Sequence, residues 1–332
     1  MKYLPCIPGR ARENVDMKVY NKDVGTAGSV TLALQAALPV VLMEWPSTSV
    51  ELVLAGGTNV AHSPPVDHFT HVLLPLLRHM GIDVSVKELR RGYFPVGQGK
   101  LRLQTSRQVG MLAPLCLEEP GLVIGVGGAV FGEGPAVTAA LKQELQNRVG
   151  EMVVAALAAR PARVQGGGLP GVEWVTFHDQ VGGCGEGGER VGGKNKRKRP
   201  KDSTLGVQLW LRTSTGAVLS ANATECLKDA DAFQTHVPLR LTEDVERRMS
   251  LVLDSGACVD EHTADQLVVY MALAGGESTL LCAPRDPQES TLHVESAVDI
   301  VQKITNREFS VSVVDSSCRL IRCRGISYQH PS

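Results

Sequence analysis

Between residues 263 and 276 the apolar side chains fall at Ala264, Leu267, Val268, Met271 and Ala272. That is the i, i+3, i+4, i+7, i+8 spacing of a helix with one buried face. Thr263 with Gln266 three places on reads as a capping box, and Gly275-Gly276 as a left-handed stop. The pattern then predicts a strand over 278–282, a turn at Pro284-Arg285-Asp286-Pro287, and a helix over 294–305 with Val298, Val301 and Ile304 inward. His293 falls immediately before that helix. Strands over 309–314 and 319–323 close the segment.

The N-terminal third has the same rhythm. A strand over 17–20, a helix over 29–43, a strand over 50–55, a helix over 66–80 and strands over 82–86 and 100–104 give the order βαβαββ. The C-terminal third repeats most of it, which points to stacked repeats whose helices cover their sheets. Between the copies, 122–131 reads as a strand pair, 135–159 as a long Ala/Val/Leu-rich helix, and 206–212 with 216–223 as a hairpin around Thr213-Ser214-Thr215. The fold class expected is α/β (α+β), with repeated βαβαββ units forming a large domain and a smaller inserted α/β domain. The expected boundaries are a first unit at 14–110, an insert at 111–235 and a C-terminal unit at 236–328. Residues 1–16 read as an irregular lead-in, and 165–203 as a glycine-rich disordered loop ending in the basic run Lys194 to Lys201.

Composition narrows the function. Lys plus Arg number 34 against 35 Asp plus Glu, so any nucleic-acid contact is local and not a whole-surface basic field. An aromatic fraction of 4% disfavours a platform of several stacked bases. The eight cysteines form no C-x-x-C pair, which suggests reduced thiols in an intracellular protein and no zinc site. The longest apolar run, 30–43, is broken by Gln35 and Pro39 and is too short for a bilayer, so a soluble protein is expected. The basic run is a nuclear-import signal, a phosphate-binding arm or a solvated loop.

Three stretches carry chemistry. Asp265 and Gln266 are expected in the first turn of their helix, where free N–H groups and the helix dipole attract anions. His293 before its helix can hold a phosphate, covalently or not, although a lone junction histidine is more often a cap. Gly25-Thr26-Ala27-Gly28-Ser29 opens the first predicted helix with residues small enough for a phosphate to approach the backbone.

These stretches resemble the RNA 3'-terminal phosphate cyclases. The resemblance rests on Glu261-x-x-Ala264-Asp265-Gln266-Leu267, Met271-Ala272-Leu273-Ala274-Gly275 and Thr291-Leu292-His293. Gly25 to Ser29 with Gln35, Gly56-Gly57-Thr58, Pro64-Pro65-x-Asp67 and Arg91-Gly92-Tyr93-Phe94-Pro95-x-Gly97-x-Gly99 add to it. It implies that His293 is the nucleophile adenylylated by ATP, and that Asp265 lies in the nucleotide site as the carboxylate that orients the histidine or holds Mg2+ or Mn2+. It also implies that Pro65, His262, Gln35, Asp265 and Gln266 bind the nucleotide, Pro65 packing on one face of adenine. His262 stands where the family usually has a tyrosine on the other face, and the smaller imidazole offers less stacking area. The Arg91 to Gly99 stretch is expected to be a structural turn.

The implied activity is conversion of an RNA 3'-terminal phosphate to a 2',3'-cyclic phosphodiester, with RNA 3' ends and ATP as partners, no membrane, and residence in the nucleoplasm or nucleolus. The resemblance starts near residue 14 and covers about two of the family's three repeats. The family's opening glycine-rich segment with its glutamate, and the arginines that hold the RNA terminus, have no counterpart here, so weak activity is expected. The rivals are a catalytically impaired cyclase-like factor of ribosomal RNA processing, which His293 with Asp265 argues against, and an enolpyruvyl-transferase-type enzyme, which would need arginine and lysine clusters that this sequence does not have at the matching positions.

Overall fold

The computed structural model describes residues 17–44, 48–106, 111–177, 202–228, 230–284, 286–287, 292–314 and 318–328, with the backbone alone at 44, 167 and 230–235. The lead-in at 1–16, the Lys194 to Lys201 run and Thr291 lie outside them.

Two four-stranded sheets share one topology. The first contains β1 (Met17–Asp23), β2 (Ser49–Gly56), β3 (Val84–Arg90) and β4 (Gly99–Thr105) in the order β1-β2-β4-β3, with β1 parallel to β2 and the other pairings antiparallel. The second contains β5 (Cys116–Leu117), β10 (Glu277–Cys282), β11 (Phe309–Val314) and β12 (Cys318–Arg324) in the order β5-β10-β12-β11, again with only the first pair parallel. Each is one βαβαββ unit. The C-terminal unit therefore draws its first strand from β5, ahead of the insert, a strand too short to leave a period in the sequence.

The parallel pairs demand crossover helices. In the first unit these are α1 (Val30–Glu44) and then α2 (Val66–His68), which passes through one π turn at Phe69–Leu73 into α3 (Leu74–His79). The expected continuous helix over 66–80 is thus interrupted by that turn. In the second unit the crossovers are α6 (Glu261–Leu273) and α7 (His293–Thr305). Leu34, Leu38, Phe69, Leu77, Leu101, Leu267, Met271, Leu280 and Val294 belong to one continuous core, so the two units are packed together. A buried leucine here contributes about 1.5–3 kcal/mol. α1 carries no charge from Val30 to Met43, and Leu32 and Val40 remain exposed on its outer side.

A third sheet lies between β5 and α6 in the chain. It contains β6 (Val123–Glu133), β7 (Val172–Trp174), β8 (Ser203–Thr213) and β9 (Val218–Leu227) in the order β7-β6-β8-β9. The stretch 122–131, read as a strand pair, falls from Val123 onward in the single strand β6, and part of the supposed loop 165–203 is β7, paired in parallel with β6. The predicted helix is α4 (Ala139–Ala158), capped by Thr138, whose hydroxyl accepts from the Leu141 N–H. The 26-residue α5 (Ala230–Ser255) was not expected from the sequence. Its signal was present in Val237, Leu241, Val245, Met249 and Val252, all buried against β8 and β9, but Pro238 and a charged middle masked it.

The Arg91 to Gly99 stretch is the turn expected, with an added reason for its glycines. Gly97 has φ +68°, whereas Gly92 and Gly99 permit close approach: a Cβ on Gly92 would lie 2.2 Å from the Gly99 nitrogen. Arg91 is buried and donates to Asp67 at 2.6 Å and Glu88 at 3.1 Å. Asn59 also donates to Asp67, at 3.2 Å. This network fixes the loop from Gly56 to Asp67, which leads into α2.

Candidate active site

α6 begins three residues earlier than the capping box suggested. Asp260 is its N-cap, accepting from the Thr263 N–H at 2.9 Å, while Gln266 donates back to the His262 carbonyl at 2.7 Å. Asp265 and Gln266 accordingly sit in the second turn. The helix stops at Ala274, whose backbone is extended, and Gly276 takes the positive φ of 93°. The predicted inner face, Ala264, Leu267, Val268, Met271 and Ala272, is buried throughout.

The start of α6 is tied to two other elements. The second oxygen of Asp260 accepts from the Thr263 hydroxyl at 2.6 Å and from Ser220 of β9 at 2.7 Å. Because the Thr263 proton goes to Asp260, its oxygen accepts from His68 Nε2, 3.1 Å away on α2. His68 is therefore neutral and protonated on Nε2, as its burial requires, since desolvation pushes the imidazole down to about 4. Three chain segments converge here, and they set the direction of His262 and Asp265.

His293 is the first residue of α7, inside the helix and not before it. Its N-cap, Leu292, has no side-chain cap, so backbone N–H groups at this helix start remain available to an anion. α7 buries Val294 and Val298, but Ile304, expected inward, is 78% exposed, and Asn306 closes the helix in the left-handed region. α6 and α7 pack side by side. This brings Asp265 Oδ2 to 3.6 Å from His293 Nδ1, within ion-pair range and beyond a hydrogen bond. The His262 ring meets that of His293 edge to face at 5.4 Å between centroids.

Burial pushes the Asp265 carboxyl up to about 7, His262 opposing the shift. A carboxyl at this value is divided between its two forms near neutrality and can take or orient a proton on the neighbouring imidazole.

Two glutamines named from the sequence occupy matching places. Gln35 is the sixth residue of α1 and Gln266 the sixth of α6, so they correspond in the two repeats. Gln35 Nε2 and Gln266 Oε1 are both buried and without a hydrogen-bond partner. A buried amide left unsatisfied costs about 1–3 kcal/mol, and a polar ligand edge would remove that cost. Pro65 is the N-cap of α2, three residues before His68, and so lies beside the start of α6. Thr31 of α1 donates to the Pro64 carbonyl at 2.7 Å, tying α1 to the same loop. Asp265, Gln266, His262 and His293 are thus brought together directly, and the two elements that carry Pro65 and Gln35 adjoin them.

Among the described residues no group of three His, Cys, Asp or Glu side chains forms a metal site. Asp265 supplies one carboxylate, so a Mg2+ or Mn2+ ion here would need substrate phosphates and water for its remaining ligands. Among those residues, too, no helix is long and apolar enough to cross a membrane. Cys116, Cys226, Cys258, Cys282, Cys318 and Cys323 are free thiols.

Repeated βαβαββ units, an α/β insert between strand and helix of one unit, and a helix-start histidine facing a carboxylate define the class of protein. The sequence model of the family described as RNA 3'-terminal phosphate cyclase matches residues 6–311, and the chain belongs to that family. Relatives bearing that name include one from Drosophila melanogaster, 26% identical over 93% of this chain and 74% of the relative. One from Staphylothermus marinus is 30% identical over 92% of this chain and 75% of the relative. A probable RNA 3'-terminal phosphate cyclase from Dictyostelium discoideum is 24% identical over 94% of this chain and 64% of the relative.

Proposed function

We propose that this chain uses ATP to close an RNA 3'-terminal phosphate into a 2',3'-cyclic phosphodiester, with His293 as the nucleophile. The observation that carries this reading is the pairing of His293 Nδ1 with Asp265 at the uncapped start of α7.

With Nδ1 turned to Asp265, Nε2 is the nitrogen that attacks. It forms a bond to the α-phosphorus of ATP as the bond to the β-phosphate oxygen breaks and pyrophosphate leaves. An oxygen of the RNA 3'-phosphate then takes the adenylyl group, breaking the P–N bond and restoring His293. The adjacent 2'-hydroxyl attacks the 3'-phosphorus, its proton passes to a base, and AMP departs. Each step exchanges one phosphoryl bond for another, so positioning and charge neutralisation supply the catalysis. Asp265 holds the imidazole and favours its cationic form in the first step. The N–H groups at the start of α7 receive phosphate oxygens. Pro65 and His262 enclose the adenine, and the amides of Gln35 and Gln266 meet polar edges of the nucleotide. A divalent ion, bound jointly by Asp265 and the phosphates, would neutralise charge.

Incubation with ATP labelled at the α-phosphate tests this. Acid-labile, base-stable label is expected on the protein and absent from His293→Ala. Persistence of the label in that variant would sink the assignment, and its loss only in His262→Ala would move it.

A further inference from the structure

Arg319 joins the two helix starts on which the proposed site is built. It lies on β12, an inner strand of its sheet, opposite Cys282 of β10 on one side and Val313 of β11 on the other. Its side chain is largely enclosed, at 12% exposure, and its terminal nitrogens reach two helices. Nη1 donates to Glu295 Oε1 at 3.0 Å, and Nη2 lies 3.5 Å from Glu261 Oε1. Nη2 also donates to the Ala283 carbonyl at 3.3 Å, which holds the guanidinium to the end of β10.

Glu261 is the first residue of α6 and Glu295 the third of α7. The helix dipoles favour an acidic side chain at each place, but two turned toward one another repel unless a cation stands between them. Burial pushes the Glu261 carboxyl up, Arg319 opposes that shift and Glu295 adds to it. Arginine suits this place because its planar fork serves two carboxylates at once. Asp265 stands four residues beyond Glu261, on the same side of α6, and His293 two residues before Glu295. Fixing the two glutamates against each other therefore fixes the separation of Asp265 and His293. The first repeat has no acidic residue in the first turn of α1, so no cation can join its two helix starts in this way.

We propose that Arg319 is a positioning residue for the reaction at His293. It holds α7 against α6 so that the imidazole stays within reach of Asp265, and it touches no reacting atom itself. The proposal rests on the cyclase reading for its reaction, not for its geometry.

The test uses the full chain, above the value of about 7 at which the Asp265 carboxyl ionises. Arg319→Met frees both helices, and Glu295→Ala, at a position 45% exposed, frees α7 without leaving a buried charge. They are expected to slow adenylylation from labelled ATP about thirtyfold and about tenfold, with ATP affinity by calorimetry changed less than about twofold. In an Asp265→Asn background the same substitutions should cost less than about twofold, because the contact they loosen is already gone. The ring-nitrogen NMR signals of His293 should move in both variants to the positions they take in Asp265→Asn. Unaltered His293 signals in Glu295→Ala overturn the proposal. So does a rate loss that is undiminished in the Asp265→Asn background, or one matched by an equal loss of folded protein. If the unaltered protein takes no label from ATP yet the signals move together, the cyclase reading falls and the positioning role of Arg319 stands.

Discussion

Replacing Asp265 with asparagine separates stability from catalysis at the proposed site. The carboxyl is four-fifths buried as a side chain, and burial moves it from 3.8 to about 7, with His262 pulling it down and Asp260 and Glu261 pushing it up. His293 faces it from α7. Because the folded form holds this proton more tightly than the unfolded chain, the contribution to stability is greatest below pH 4. It is lost as pH rises towards 7 and changes little above that. At 1.36 kcal/mol per pKa unit the shift is worth about 4 kcal/mol, reduced somewhat by the exposed fifth of the side chain. Asparagine keeps the volume and cannot ionise. Urea unfolding between pH 5 and 8 should therefore show Asp265→Asn gaining on the unaltered protein by about 1 kcal/mol per pH unit up to pH 7, then levelling. The adenylylation rate of the unaltered protein should rise through an apparent pKa near 7 as the carboxylate forms, and the variant should lose both the rate and that dependence. Parallel unfolding profiles across the range would refute the reasoning.

Three further outcomes are expected. His262→Tyr should tighten ATP binding three- to tenfold through added stacking area, measured by calorimetry; unchanged affinity would remove His262 from the adenine face. Arg91→Met leaves Asp67 and Glu88 buried without their cation, and a loss of about 3–5 kcal/mol in chemical denaturation would establish the network as structural. Deleting residues 194–201 should move a fluorescent fusion from nucleus to cytoplasm with little effect on cyclisation, and the reverse pattern would make the run a substrate-binding arm.

Much of this architecture was legible because both crossover helices and both inner strands of each unit leave strong periods. Leu267, Val268 and Met271 are apolar for the same reason that they are buried. What escaped notice depended on tertiary partners. β5 has two residues and exists only because β10 lies beside it in register. α5 carries its apolar residues at helical spacing, but Pro238 argues locally against a helix and only packing on β8 and β9 overrides it. Ile304 has the right spacing for an inner face, yet α7 turns it outward. At the proposed site, His293, Asp265 and His262 were named from resemblance, and the structure places the three side by side. The Asp260–Ser220 bond and the ion pair of Glu261 with Arg319 could not, because both depend on distances to β9 and β12.

The shared carboxylate of Asp260 has a mechanical consequence. Ser220 belongs to the insert, His68 to the first repeat and Asp260 with Thr263 to the second, and all four meet at one helix start. A small rotation of the insert would pull on Ser220, shift the N-cap, and re-aim the first turn that carries His262. The position of the insert is in this way coupled to the proposed site through hydrogen bonds alone. Ser220→Ala would cut that linkage while leaving the cap of α6 in place, so the insert and the two repeats would keep their folds and lose this connection.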